Sequence, residues 1–291
     1  MRFALATTDR HLPALEALLD AGWRPVKLYS APQDGVTDRI DGLAAMALRL
    51  GVPLHLGRID DSELDGLSAR GCEILITSIY RWRIPPWEGR LPYAINLHPS
   101  PLPLGRGPYP QVRAILEAHP RWGVAAHKIA PEFDAGDILD SETFELAADE
   151  SHETLNLRLS MATRRLMERI LTEGVGPLWL RAKPQGDGEY WPRWSDADRT
   201  LNFDAPVADI LRRVRAFGLL ETMAQPVGQS RVFVRQAHGW VEPHGHAPGT
   251  LVHHSRTNWV VAAADGYVAL MGWSPVSAGL IRTMELGRLV S

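Results

Sequence analysis

One cysteine, Cys72, stands in 291 residues. It cannot close an internal disulfide, so packing alone must hold the fold, which suits a reducing, cytoplasmic setting. No stretch approaches the ~20 consecutive apolar residues that cross a bilayer, and no membrane partner is expected. The opening Met1-Arg2-Phe3-Ala4-Leu5-Ala6 is apolar only until Asp9-Arg10, as in a first strand rather than a secretory signal. Basic excess is missing as well: 31 Lys and Arg face 34 Asp and Glu, for a net charge of −3. The two signs also balance after residue 184. Counterion release needs clustered Lys and Arg, so a large nucleic-acid surface is disfavoured. The first strand runs into Thr7-Thr8-Asp9-Arg10 with no glycine-rich turn, and no Gly-Lys-Ser/Thr phosphate loop occurs anywhere. Nicotinamide and nucleotide-triphosphatase chemistry are therefore disfavoured. His244, His246, His253 and His254 lack cysteine partners and a regular zinc spacing, so no metal is expected.

The composition that is present, 45% hydrophobic and 22% charged, is that of a globular protein with ample core. Its length suits about two domains. Apolar periodicity predicts strands at residues 3–7, 26–29, 52–56, 74–78 and 93–97. It predicts helices at 12–19 and 40–50, the second stopping at Gly51. Later helices are expected at 109–118 and 151–171, with Ser151, Glu153 and Thr154 at the entry of the latter. This alternation is that of an α/β fold built on a doubly wound, mostly parallel sheet. After Leu180 the composition changes. Lys183-Pro184-Gln185-Gly186-Asp187-Gly188 is turn-rich and reads as a linker. Beyond it come a helix at 207–217, with Arg212, Arg213 and Arg215 as its wet face, and strands at 232–235, 249–253, 259–263 and 267–271. Closely spaced strands with turns such as Ala264-Asp265-Gly266 suggest a small barrel or partial barrel. The expected division is 1–182, a linker at 183–203, and 204–291.

The chemistry concentrates in Asn96-Leu97-His98-Pro99-Ser100, followed by Leu102-Pro103, Arg106-Gly107-Pro108 and Asp134-Ala135-Gly136-Asp137. Asn96 and His98 close an apolar strand and lie two apart, on one face of an extended chain. Strand ends are where ligands bind in open α/β sheets. Pro99, Pro101, Pro103 and Pro108, with Gly105 and Gly107, then forbid regular structure and shape a loop. Taken singly, each polar residue also fits a strand cap or a turn; together they describe a reaction site.

This run resembles the 10-formyltetrahydrofolate-dependent formyltransferases, whose members act on methionyl-tRNA, glycinamide ribonucleotide, sugar nucleotides and amino acids. Their Asn-x-His-Pro-Ser-like turn, Leu-Pro, Arg-Gly and later Asp-x-Gly match Asn96/His98/Ser100, Leu102-Pro103, Arg106-Gly107 and Asp134-Ala135-Gly136, and His127 matches a further recurring histidine. The resemblance implies a Rossmann-like catalytic unit followed by an OB-like β domain. It implies N10-formyltetrahydrofolate as formyl donor and no metal. Asn96 is then the donor to the developing oxyanion, His98 the proton relay, and Asp134 the group that holds His98. The Tyr80-Arg81-Trp82-Arg83-Ile84 loop, at another strand end, is expected to cradle the pterin, with the Asp134-Ala135-Gly136 turn and the loop after it closing the other side. Trp82 reads alternatively as an anchor on the core. Ser100, Arg106, Gly107 and His127 are assigned to the acceptor side, although Ser100 also fits a loop-ordering role, Arg106 a loop-backbone contact and His127 a core position.

The acceptor follows from departures within the resemblance. Methionyl-tRNA enzymes carry a basic insertion after the second strand; here residues 30–39 hold one base and two acids. A small-molecule amine, on a sugar nucleotide or an amino-acid-like compound, is the leading expectation, with charged tRNA as the alternative. Trp191-Pro192-Arg193-Trp194 resembles the segment that packs near the acceptor in sugar and tRNA enzymes. Gly218-Leu219-Leu220 replaces the aromatic-Pro-Gly run usual after Arg-Ala-Phe. A hydrolase that passes formyl to water and a non-catalytic folate binder are the other classes. The hydrolases carry an added N-terminal domain, and the intact Asn96/His98/Asp134 set disfavours a mere binder.

Overall fold

The computed structural model describes residues 1–32 and 39–279. The acidic stretch expected to bear on the acceptor falls largely, at residues 33–38, outside the described residues.

The chain opens with β1 (Arg2–Ala6), α1 (Leu12–Asp20), β2 (Arg24–Ser30), α2 (Asp41–Leu50), β3 (Leu54–Leu56), α3 (Asp61–Ala69), β4 (Ile74–Ser78) and β5 (Tyr93–His98). It continues through α4 (Pro110–Leu116), β6 (Arg121–Lys128), β7 (Ile138–Glu145), α5 (His152–Glu173) and α6 (Val175–Leu180). The seven strands form one sheet in the order β3-β2-β1-β4-β5-β6-β7. The first five are parallel, and β6 and β7 are antiparallel additions at one edge. The expected doubly wound, mostly parallel sheet is thus present.

Parity along the strands builds two cores. Phe3, Leu5, Ile74, Ile76, Ile95 and Leu97 face α1, α4 and α5, while Ala4, Ala6, Leu75 and Ala94 face Leu64 and Leu67 of α3 together with Trp87 and Leu91. Helix ends follow local chemistry. Gly51 closes α2 at φ 65°, a left-handed position that costs glycine nothing. Ser151 caps α5 through a reciprocal pair with Thr154.

After α6 the chain forms α7 (Asp196–Arg199), α8 (Val207–Phe217), β8 (Thr222–Ala224), β9 (Val232–Val241), β10 (Leu251–His254), β11 (Trp259–Ala262) and β12 (Gly266–Ser274). The last five strands make an antiparallel sheet in the order β10-β11-β12-β9-β8. This is the small C-terminal β unit expected, with strand β9 much longer than the apolar run that announced it. Helix α8 lies between the two units: Ala216 and Phe217 enter the first core, and Val207, Ile210 and Val214 the second.

The arginine face of α8 stays at the surface but is not free of contacts: Arg212 pairs with Asp209 on the same helix, Arg213 bonds to the Asp198 carbonyl, and half-buried Arg215 to the Ala148 carbonyl (3.3 Å). Burial pushes the Arg215 pKa down. The turn-rich 183–188 segment, in turn, is no free tether. Lys183 exchanges backbone bonds with Ile138 at the start of β7 (2.8 and 2.9 Å), and Trp191 is buried in the first core. No helix among the described residues is long and apolar enough to cross a membrane.

Candidate active site

Strand β5 sets the site. Ala94 faces the α3 side, so two-residue parity carries Asn96 and His98 to the same face. Thr77 of β4 stands in register beside Asn96 and donates from Oγ1 to Asn96 Oδ1 (2.8 Å). Across the other edge of β5, the antiparallel partner of Asn96 is His127 of β6. The loop after β5 folds back under its own bonds: Ser100 Oγ donates to Leu104 O (2.7 Å), and Trp122 Nε1 donates to Pro99 O (2.9 Å).

Asp134 enters from the β6–β7 connection and is the hub. Asn96 Nδ2 donates to its Oδ1 (3.2 Å), and the Gly107 amide donates to its Oδ2 (2.9 Å). His98 Nδ1 lies 3.3 Å from Oδ1 and His127 Nε2 lies 3.6 Å from it. Asp134 holds φ at 56°, a left-handed conformation uncommon outside glycine. Two glycines make this approach possible. A Cβ on Gly136 would stand 1.9 Å from Lys128 O, and one on Gly107, at φ 103°, would stand 2.3 Å from Trp191 O.

Hydrogen-bond partners assign the protons. Gly105 O, a pure acceptor, lies 2.8 Å from His98 Nε2, so that nitrogen carries hydrogen; a carboxylate at Nδ1 asks the same of the other. His98 is buried, which works against a charged ring. The Asp134 charge, its hydrogen bond and the Gly105 carbonyl together outweigh burial, and the His98 pKa is raised. Burial likewise opposes an ionised Asp134, but the charge on His98 and the hydrogen bond from its ring drive the Asp134 pKa well below the carboxylate range. The two form a buried ion pair. His127 differs: Nδ1 donates to Lys128 O (2.8 Å), leaving Nε2 to accept from Asn96 Nδ2 (3.0 Å).

A pocket opens directly above. It is lined by Thr77, Asn96, His127 and Asp134 at its floor, by Tyr80, Trp82, Arg83 and Ile84 on one wall, and by residues 129–133 on the other. Tyr80 and Trp82 meet edge to face, with ring centroids 5.3 Å apart. The Tyr80 hydroxyl accepts from Ile59 N (2.7 Å) and donates to Gly57 O (3.1 Å), and burial pushes its pKa up to about 12. Arg83 spans the walls: its guanidinium donates to Pro131 O (3.0 Å) and covers the Phe133 ring at 4.9 Å.

Among the residues singled out from sequence, Asn96, Asp134, His127, Tyr80, Trp82, Arg83 and Ile84 converge on this pocket. His98 sits behind Asp134 as its counter-ion. Arg81 turns away, donating to Pro32 O (2.8 Å). The wall opposite Tyr80–Ile84 comes from the residues before Asp134, not after it. Ala135 and Gly136 are outside the lining because Gly136 is pressed against the β6 backbone. Ser100 is fully buried and orders its loop. Arg106 points at the 183–188 segment, bonding to Gln185 Oε1 (3.1 Å) and Gly186 O (3.0 Å). Gly107 serves through its backbone amide. Sequence reading missed Thr77 and Gln185. Thr77 was findable, as the polar residue near the end of an otherwise apolar strand.

The Trp191–Trp194 segment packs next to these loops. Trp191 stacks on Trp122 at 5.9 Å, Trp194 meets Phe217 at 5.4 Å, and Arg193 covers the Tyr109 ring at 5.5 Å. Among the described residues no group of three or more His, Cys, Asp or Glu is arranged to hold a metal ion.

The molecule combines an α/β sheet, a pocket at the ends of its strands and a small C-terminal antiparallel unit, the arrangement that the resemblance implies. Residues 87–171 match the formyl transferase family, and residues 193–275 match the formyl transferase C-terminal domain. The chain belongs to the formyltransferase superfamily. It is 28% identical to a methionyl-tRNA formyltransferase of Methylibium petroleiphilum, over 91% of this chain and 89% of that protein. It is also 28% identical to the methionyl-tRNA formyltransferase of Bordetella avium, over 93% of each. Among solved structures it resembles HypX from Aquifex aeolicus (TM-score 0.72, 16% identity), covering 93% of this chain but 45% of that one. It also resembles the N-formyltransferase of Helicobacter canadensis solved with folinic acid and dTDP-3-aminofucose (TM-score 0.68, 15% identity, 94% of this chain and 99% of that one).

Proposed function

We infer that this enzyme moves the formyl group of N10-formyltetrahydrofolate to the amine of a small molecule, an amino-sugar nucleotide or an amino-acid-like acceptor. The observation that carries the reading is the Asp134 hub at the floor of the pocket walled by Tyr80–Ile84 and 129–133. Such walls offer apolar and aromatic faces to a flat pterin, and main-chain groups for its edge, once they part to admit it. The acceptor nitrogen attacks the formyl carbon, the carbonyl pair moves onto oxygen, and the C–N10 bond then breaks. One proton passes in total from the acceptor nitrogen to N10. Asn96 presents an amide N–H to the oxyanion, giving up a bond to Asp134 or His127 to do so. The resemblance gives His98 the proton relay, for which its ring must leave Gly105 O, while its charged form, held by Asp134, steadies the developing charge. The two folate-bound neighbours, a HypX complex with tetrahydrofolic acid and the Helicobacter canadensis enzyme with folinic acid, support the donor.

A small acceptor is supported by the balanced charge after residue 184 and by the acidic 30–39 stretch. Charged initiator tRNA is the second reading, supported by the Methylibium and Bordetella relatives. One assay separates them: release of tetrahydrofolate with initiator methionyl-tRNA, dTDP-linked amino sugars and ornithine-type amines at several salt concentrations. A small amine gives weak salt dependence. A tRNA acceptor gives a log–log slope of about −0.9 per duplex phosphate contact, and efficient, salt-sensitive formylation of tRNA would reject the small-amine reading. With the working acceptor, Asn96→Ala, His98→Ala and Asp134→Ala should each lower kcat by roughly 10²–10⁴-fold, with His98 and Asp134 less than additive. Turnover near wild type in any of the three removes that residue from the mechanism.

A further inference from the structure

Asp134 sits at φ 56°, a left-handed position that aspartate can take but that is uncommon outside glycine, and contacts from other parts of the chain hold it there. Its side chain is fixed by Gly107 N and by the groups around Oδ1, yet none of these restrains the turn's own carbonyls. Gln185 does. Its amide nitrogen donates to Asp134 O (2.9 Å) and to Gly136 O (2.6 Å), straddling Ala135. Its Oε1 accepts from Arg106 Nε (3.1 Å), while the other end of that guanidinium grips Gly186 O (3.0 Å). The residue after Arg106 is Gly107, whose amide returns to Asp134 Oδ2 (2.9 Å), and Trp191 N donates to Arg106 O (2.7 Å). The bonds form a closed ring: Asp134 carboxylate, Gly107, Arg106, Gln185 and back to the Asp134 carbonyl.

We propose that Gln185, contributed by the segment joining the two units, is a positioning residue that holds Asp134 in place against His98. The proposal rests on the reading of Asp134 as the carboxylate of the site. Without the Gln185 amide two carbonyls lose their donor, and the turn is free to relax toward ordinary backbone angles. That movement carries Oδ1 away from the His98 ring. Substrate need not be bound for this to matter, so the test needs no acceptor.

The charged and titratable groups facing His98 are Asp134 at 3.3 Å and His127, with ring centroids 6.4 Å apart. The His98 ring therefore reports the position of Asp134. Full-length ¹⁵N-labelled protein is titrated by long-range ¹H–¹⁵N NMR as wild type, Gln185→Leu and Gln185→Glu, with His98 assigned from a His98→Gln spectrum. Thermal unfolding and tetrahydrofolate binding are followed on the same samples. The wild-type ring should titrate above the usual value of about 6.5, and both variants should bring its midpoint down by roughly one unit. Tetrahydrofolate affinity should stay within about threefold, because Gln185 does not line the pocket. A variant that loses thermal stability while the His98 midpoint stays put overturns the proposal, since a merely structural bond would behave that way. If the Gln185 variants do not fold, Arg106→Met removes the donor to Oε1 and leaves the amide in place. It should lower the midpoint by less, and an unmoved midpoint there overturns the proposal too. Asp134→Asn separates the two layers. If it leaves His98 unmoved, the site reading and the proposal fall together; if it lowers the midpoint while the Gln185 variants do not, the proposal falls alone.

Discussion

At the scale of single residues the site depends on backbone groups as much as on side chains. Asp134 is ionised in a buried place because His98, His127, Asn96 and the Gly107 amide all converge on it, and removing one leaves the rest imperfectly paired. Gly107 is a sharp case. At φ 103°, with Trp191 O only 2.3 Å from where a Cβ would stand, Gly107→Ala must shift the loop and withdraw its amide from Asp134. The expected cost is about 1–3 kcal/mol in urea unfolding, together with loss of turnover. Gly22→Ala, at φ 75° with nothing within 4 Å, shares the backbone penalty but not the clash and should keep full activity; equal losses in both would refute the role given to the amide. Sequence made Asn96, His98 and Asp134 legible because amide, imidazole and carboxylate carry their chemistry in their names. A backbone N–H carries none, so the motif that flagged Arg106 and Gly107 did not reveal what the Gly107 amide does, and Gln185, 51 residues from Asp134, had no local signal at all.

The secondary-structure elements show where periodicity works and where it fails. The core strands β1, β4 and β5 are apolar along most of their length and were legible to within a residue or two. Helix α3, Asp61-Ser62-Glu63-Leu64-Asp65-Gly66-Leu67-Ser68-Ala69, buries only Leu64 and Leu67 and resembles a polar loop in sequence. Edge strand β7 escaped notice because its exposed side carries acids that answer to α5: Asp140 and Glu142 pair with Arg169, and Glu142 also with Arg165. The same scale holds a titration device. His11, beside Ser78 at the end of β4 (Nδ1 to Oγ 2.5 Å), and His152, at the start of α5, are buried. Burial first, and the Arg10 charge second, lower both pKa values to about 3. The unfolded chain protonates these rings near 6.5, so their depressed folded values contribute stability above that pH and lose it as pH falls from 6.5 toward 3. Each ring accounts for up to about 2 kcal/mol between pH 6.5 and 5. His98 works in the opposite sense: its raised value stabilises fully below 6.5 and fades as pH climbs through the folded pKa. Urea midpoints between pH 7 and 5 should therefore fall, and His152→Gln should flatten that slope. An unchanged slope in the variant would show that folding does not shift the titration of His152.

The molecule as a whole is tied together at α8 and along the 183–191 segment. The composition change after Leu180 made two units legible, and the small antiparallel unit is present. What composition could not convey is that the connecting stretch is built into the first unit, since turn-forming residues look alike whether they are solvated or clamped by Arg106 and Ile138. A chain cut at residue 182 would lose the Gln185 bonds to the Asp134 turn and the Trp191 stack on Trp122. Such a chain is expected to lose its native Asp134 geometry even where the sheet persists. Helix α8 carries the larger consequence. Phe217 is fully buried in the first core, edge-on to Trp194 at 5.4 Å, while Val214, one turn earlier, belongs to the second. A helix shared between two cores cannot leave one without disturbing the other, so heating should unfold the full chain in one calorimetric transition. Phe217→Ala opens a cavity at that joint and should lower stability by about 3–5 kcal/mol. The decisive feature is its form: in a coupled molecule the single transition moves down as a unit. Two separated transitions, with only the lower one displaced, would mean that each core folds independently of the helix they share.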